Sequence, residues 1–266
     1  MIIMRKFFFI AILTLLSVVC FGQDGGVIKF LGIPIDGPEA EFANQLISKG
    51  FTYDAVSESY RGQFNEKTVD VVIHTNHDIV DRVYVAFPYT KKDAIKGEYN
   101  KLLRQFRNDA KYVDFSLNEE ITDKDDIPHE MSVNNKRYKA SFSYYDADRD
   151  PVEMMNALLD KFTDFYTPEQ LEKLKGYVAE AAAAPDDQKS AVKDKMFAAM
   201  RIMAFGGTPG AEPDADKAMK FLATFMEGLK SLEDGTVWFM IQENHGRYYI
   251  GLYYDNIHNQ THGEGL

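Results

Sequence analysis

Beyond position 20 the chain has no cysteine. That excludes disulfides, thiolate metal sites and a cysteine nucleophile from the body of the protein, so packing must hold the fold. Tryptophan occurs once, as Trp238, and only one long apolar run is present, Phe7 to Val19. The absence of a second such run, with a mean hydropathy of −0.33, excludes a polytopic membrane protein. Positive charge is scarce as well: 30 Lys and Arg face 41 Asp and Glu, a net charge of −11. That balance argues against nucleic acid and anionic membrane surfaces as partners. No G-x-S-x-G, P-loop, H-E-x-x-H or dinucleotide fingerprint is present. Glycosidase-type carboxylate pairs are set by distance in space rather than along the chain, so a hydrolase stays open.

The first two dozen residues read as a secretory signal. Arg5 and Lys6 precede the apolar run, and Cys20 and Gly22 stand at −3 and −1 of a cut before Gln23. The run is too short for a permanent anchor, so no integral membrane span is expected after processing. Removal of residues 1–22 takes Arg5 and Lys6 away and moves the charge from −11 to −13. A periplasmic or secreted location follows. The alternative is a lipoprotein anchored through Cys20, but Val19 stands where lipidation wants a small residue, which favours the cut before Gln23.

An apolar lead-in, Val27 to Asp36, opens the mature chain. A helix follows from Pro38, pre-set for a first helical position, to the Gly50 terminator, with Phe51 folding back on Leu46 in a Schellman ending. Ser57 to Phe64, the alternation at Val69, Val71 and Ile73, and that at Val83, Val85 and Phe87 read as an antiparallel meander. Thr90-Lys-Lys-Asp93 resembles a capping box for a helix whose apolar face is Ile95, Tyr99, Leu102, Leu103 and Phe106. Tyr112 to Phe115 is a strand, Asn118 to Glu130 an acidic irregular link, and Arg137 to Tyr145 a strand. Residues 146–235 change character, with helices over 151–165, 168–184, 186 to Gly206-Gly207, and 213–232. The first two are opened by Asp150-Pro151 and Thr167-Pro168. A hairpin turning at Asn244-His245-Gly246 closes the chain.

The fold class is therefore α+β, an antiparallel sheet built from two α-β-β-β-like units, the first with room for a short extra strand. A four-helix insertion lies between strands of the second unit. The domains are residues 23–145 plus 236–266 for the sheet and 146–235 for the insertion, whose ends meet if the strands that flank it are neighbours.

Gly32-Ile-Pro-Ile-Asp-Gly37, Lys49-Gly50-Phe51, Val237-Trp-Phe-Met-Ile241 and Tyr253-Tyr-Asp-Asn256 together resemble a group of uncharacterised secreted proteins known from Bacteroidetes. The similarity covers about residues 27–145 and 236–266. It implies a shared α+β core, and many relatives lack the helical block, which fits an insertion; it brings no activity and no site residues with it.

Three constellations hold residues of metal-binding type. His74-x-x-His77 spans a strand end and a turn and reads as surface. His258-x-x-x-His262 with Glu264 lies in a Gly-containing tail that disfavours a helix. Asp146-Ala-Asp148-Arg-Asp150 begins like a calcium loop, but Pro151 and Ala157 stand where Gly and Glu are needed. No metal or cofactor is expected. Seven of the eleven methionines fall in the helical block, and Met196, Met200 and Met203 form one stripe that must meet apolar surface. The sheet is apolar on both faces: Tyr84, Trp238, Met240, Tyr249 and Tyr253 oppose the core alternation. Either the helices cover that second face or it receives a partner, and these five are the candidate binding residues. The leading expectation is an exported non-catalytic module binding a protein or glycan, with a tandem α-β inhibitor as its sharper form by analogy. A hydrolase acting on envelope or other polymer is the alternative.

Overall fold

The computed structural model describes residues 26–109, 111–114, 116, 118–145, 150–205 and 214–260. The expected signal segment with Cys20, the residues Asp146 and Asp148, the expected terminator at Gly206-Gly207, and His262 with Glu264 lie outside the described residues. Two compact units are present, one within Asp148–Leu232 and one within Cys20–Ala147 together with Glu233–Leu266.

The second of these contains β1 (Lys29–Phe30), β2 (Ile33–Pro34), α1 (Glu39–Ser48), β3 (Thr52–Asp54), β4 (Ser59–Phe64), β5 (Lys67–Asn76), β6 (Ile79–Ala86), α2 (Lys92–Asn108), β7 (Tyr112–Val113), α3 (Ile127–Ser132), β8 (Lys139–Tyr144), β9 (Gly235–Asn244) and β10 (Arg247–Asp255). β1 and β2 form a small hairpin, and the other eight strands form one antiparallel sheet in the order β3-β4-β5-β6-β10-β9-β8-β7. The order reads as two halves, α1 with β3–β6 and α2 with β7–β10, whose last strands pair with each other.

Local chemistry explains the boundaries. At the end of α1, Gly50 takes φ +93° and Phe51 N–H reaches Leu46 O at 3.3 Å, the 6→1 bond of a Schellman ending. Among the described residues four tight hairpins turn at Leu31-Gly32, Asn65-Glu66, His77-Asp78 and His245-Gly246, every one of these residues at positive φ, as a type I′ turn requires. Thr90 does not cap α2. Its backbone pairs with Tyr248, N–H to O at 2.7 Å, and the cap position falls on Lys91 without a side-chain bond. A β-bridge satisfies the Thr90 backbone and so displaces the capping geometry. The link after β7 is also less irregular than its composition indicates, since Asp126 accepts from His129 N–H and opens α3.

Both helices lie on one face of the sheet. Phe42 and Leu46 of α1, and Ile95, Tyr99, Leu102, Leu103 and Phe106 of α2, pack with Val71, Val83, Val85, Phe239, Ile250 and Leu252. Ile28, Phe30, Ile33 and Ile35 of the lead-in are fully buried in the same core. Tail and lead-in are clasped together. Asn256 donates from Nδ2 to Ile35 O at 2.8 Å, and Asn259 donates to Asp36 Oδ1 at 2.8 Å and Val80 O at 3.0 Å.

The helical unit holds α4 (Pro151–Leu159), a 3-10 turn (Asp160–Phe162), α5 (Pro168–Ala183), α6 (Asp186–Phe205) and α7 (Ala215–Lys230). Asp150 caps α4, and Thr167 with Gln170 forms a complete capping box on α5. Its core is aromatic, with Phe162 and Phe221 rings 4.7 Å apart. Met196 is buried, and Met200 lines an apolar cavity of about 20 Å³ with Met155, Phe162 and Phe221. No helix among the described residues is long and apolar enough to cross a membrane.

Candidate functional site

The sheet face opposite α1 and α2 carries all five candidate binding residues. Strand register puts Tyr84, Tyr253, Trp238 and Ser141 in one cross-strand row, with Ala86, Gly251, Met240 and Lys139 in the next and Tyr249 beside Gln242 beyond it. Alternation alone brings them together, because every second residue of β6, β9 and β10 points away from the core.

The rings do not lie flat. Trp238 and Tyr253 stack at 3.7 Å and 7° between planes, Tyr84 follows at 4.7 Å, and Lys139 Nζ stands 4.3 Å from the Trp238 ring on the β8 side. The result is a standing ladder, Tyr84–Tyr253–Trp238–Lys139, in which each ring covers its neighbour and presents an edge. One end is locked by charge. Arg82 donates to both oxygens of Asp255 at 2.6 and 3.1 Å, and Trp238 Nε1 donates to Asp255 Oδ2 at 2.8 Å. At the other end Gln242 accepts from Tyr249 Oη and donates to Tyr253 Oη at 3.0 Å. Burial, with Tyr249 and Tyr253 alongside, pushes the Tyr84 hydroxyl far above its ordinary range, and burial raises Tyr249 as well. These phenols are neutral hydrogen-bonding groups.

A second feature has no counterpart among the sequence motifs. An open polar cleft of about 660 Å³ runs beside β8, between Lys136–Lys139 with Ser141 and the link Asn118–Thr122 with Asp125. Its link wall is pinned. Ile121 exchanges two bonds with the Asn100 amide of α2, at 2.8 and 2.9 Å. Thr122 donates from N–H and Oγ1 to Asp125 Oδ2, both at 2.8 Å, and Lys136 Nζ lies 3.2 Å from Asp125 Oδ1. Those bonds, the Thr122 hydroxyl first, pull the Asp125 carboxyl down to about 2. Lys96 Nζ closes the turn against Thr122 O and Asp123 O.

The β8 wall is backbone. Tyr138 O accepts from Ile241 N–H at 3.0 Å, so even-numbered residues of this stretch bond toward β9 and odd-numbered ones face outward. β7 covers only Ser143 and Tyr144. Next along the edge, the Asn118 side chain acts as a substitute strand, donating from Nδ2 to Ser141 O at 2.9 Å and accepting from Ser141 N–H at 3.1 Å. Lys139 comes after that, with its N–H and C=O turned outward and no partner among the described residues. Arg137 likewise has no carboxylate partner among them.

The other constellations stay apart or on the surface. His74 and His77 are exposed at the end of β5 and in its turn, and His258 sits 3.4 Å from the buried Asp234. No group of three or more potential metal ligands exists among the described residues. Comparison with family models, with curated proteins and with solved structures finds no match.

Proposed function

We propose that this chain is an exported, non-catalytic interaction module whose recognition surface is the cleft beside β8. The observation that carries the reading is the cleft's construction: one wall is held rigid by bonds from Asn100, Thr122 and Lys136, and the other offers an open strand edge. A pinned wall lowers the ordering cost of binding, while the carboxylate best placed for acid–base work, Asp125, is already tied and ionised.

A protein partner fits better than a glycan. Sugars stack their C–H groups on open ring faces, whereas Trp238 gives one face to Tyr253 and the other to Lys139. The candidate residues Tyr84, Trp238, Met240, Tyr249 and Tyr253 then support the β8 edge rather than form a platform of their own.

Selection from a displayed random-peptide library and from a glycan array tests this. Peptide enrichment that disappears in Arg137→Glu/Lys139→Glu, with no glycan retained, is the expected result. Turnover of a polymeric substrate by the purified protein would refute the non-catalytic reading. For export, the expected intact mass begins at Gln23, and a diacylated species beginning at Cys20 would place the protein on a membrane instead.

A further inference from the structure

We infer that the outer edge of β8 receives an extended peptide strand carrying a carboxylate side chain, so that the sheet gains a strand at Lys139. This rests on the interaction-module reading and names the chemistry of its partner. The protein already shows the bonding mode on itself. Asn118 meets Ser141 with one donor and one acceptor, as a peptide unit of a neighbouring strand would. Two residues along, about 6.7 Å further, Lys139 presents the same outward donor and acceptor, and no amide among the described residues meets them.

An unmet N–H and C=O side by side on a strand edge recognise extended backbone rather than a sugar or a compact ion. The cleft supplies the room, since it follows β8 on the side where β7 has ended. Its pinned link limits how far the edge is exposed. That suits a single strand and disfavours continuous edge-to-edge growth.

Charge selects the side chain. Lys136, Arg137 and Lys139 place three cations within four residues of this edge, in a chain of net charge −11. Lys136 is committed to Asp125 and Lys139 leans over Trp238, which leaves the Arg137 guanidinium able to take a carboxylate in fork geometry. Of the two glutamates on the opposite wall, Glu120 is paired with Arg104 at 2.9 Å and Glu119 makes no ion pair among the described residues, so neither holds Arg137.

The test uses the full chain and a synthetic heptapeptide, Thr-Val-Thr-Glu-Thr-Val-Thr. Three relatives accompany it: one with Lys replacing Glu, one N-methylated on alternate amides, and one N-methylated on the remaining amides. Saturation with the Glu peptide should slow hydrogen exchange at the Lys139 amide. Replacement of Glu by Lys should weaken binding about tenfold, in line with a charge-assisted pair. Lys139→Pro removes the outward N–H without touching a β9 bond, as sheet edges tolerate. It should weaken binding far more than Lys139→Ala, which keeps that N–H and loses the charge together with its cover over Trp238. The N-methylated pair gives the same information should the proline variant fold poorly, because blocking the register that faces β8 should abolish binding. If both methylated peptides bind like the parent, or the Lys139 amide exchanges unchanged, the added-strand inference fails while peptide binding itself survives. If neither this peptide nor any library member binds, the module reading falls with it.

Discussion

Asn256 offers the sharpest test of how the sheet unit is closed. Its side chain is buried, donating to the carbonyl of the fully buried Ile35 at 2.8 Å and accepting from His258 N–H at 3.0 Å. Asn256→Ala leaves the Ile35 carbonyl desolvated without a donor, a cost of about 1–3 kcal/mol. In a unit of this size each kcal/mol moves the melting temperature by about 2–4 °C, so a fall of about 4–8 °C is expected for a cost near 2 kcal/mol. Asn256→Asp should be worse at neutral pH, about 3–5 kcal/mol, because a buried carboxylate would face that carbonyl with no cation beside it. The sign with pH follows. Burial raises the introduced carboxyl's folded pKa above its unfolded value of about 3.9. The folded state then holds its proton longer, so the ionisation penalty is absent below about pH 4 and grows as pH rises toward the folded pKa. Thermal unfolding followed by circular dichroism between pH 4 and 8 reads both effects. An Asn256→Ala variant within about 0.5 kcal/mol of the parent, or an Asn256→Asp variant whose deficit is flat with pH, would refute the clasp as a source of stability.

Three further outcomes are expected. Asp125, held at about 2 against 3.8 for a free carboxyl, contributes stability that is present above about pH 4 and lost as pH falls toward 2. Asp125→Asn should therefore cost up to about 1 kcal/mol at neutral pH, an amount limited by solvent screening, and the gap should close in acid; a constant gap in urea titrations would contradict this. Gly62→Ala should cost about 1–3 kcal/mol in chemical denaturation, because the added Cβ meets the buried Phe51 ring directly, and a neutral variant would mean that ring moves freely. Replacing residues 148–232 with a short Gly-Ser turn should leave cooperative unfolding and sheet circular dichroism, since Tyr144 and Gly235 are register partners; loss of the transition would show that the sheet depends on the helical unit.

What was legible in the sequence was local. Gly50 with Phe51 ended α1 because only a left-handed residue satisfies the last carbonyls there. Thr167 and Gln170 opened α5 because their reciprocal bonds need nothing beyond four residues. The period-two alternation also assigned Tyr84, Trp238, Met240, Tyr249 and Tyr253 to one face. What escaped depends on partners distant in the chain. Thr90 looked like a cap until Tyr248, far along the chain, offered its backbone a strand partner. The room for a short extra strand in the first unit is filled by β3, which pairs with the adjacent β4, although the exposure of Thr52 and Tyr53 gives it no alternation to read. That the aromatic ladder shows edges rather than faces depends on Lys139 and Arg82–Asp255, three residues from three strands.

The phrases that stood out in the sequence prove to be structural. Ile35 and Asp36 belong to the Gly-Ile-Pro-Ile-Asp-Gly element and Asn256 to the Tyr-Tyr-Asp-Asn tail, and these phrases bond to each other or to their neighbours. Trp238 of the Val-Trp-Phe-Met-Ile strand is spent on Tyr253 and Asp255. Distinctive wording in a sequence marks places where few residue types will do, and a clasp between chain ends is such a place. A strand edge is the opposite case, because any residue except proline brings an N–H and a C=O. Recognition built from the Lys139 backbone therefore leaves no residue signature. Trp238, Tyr249 and Tyr253 are tied into the fold, so the surface left to meet a partner is one that motif reading does not register.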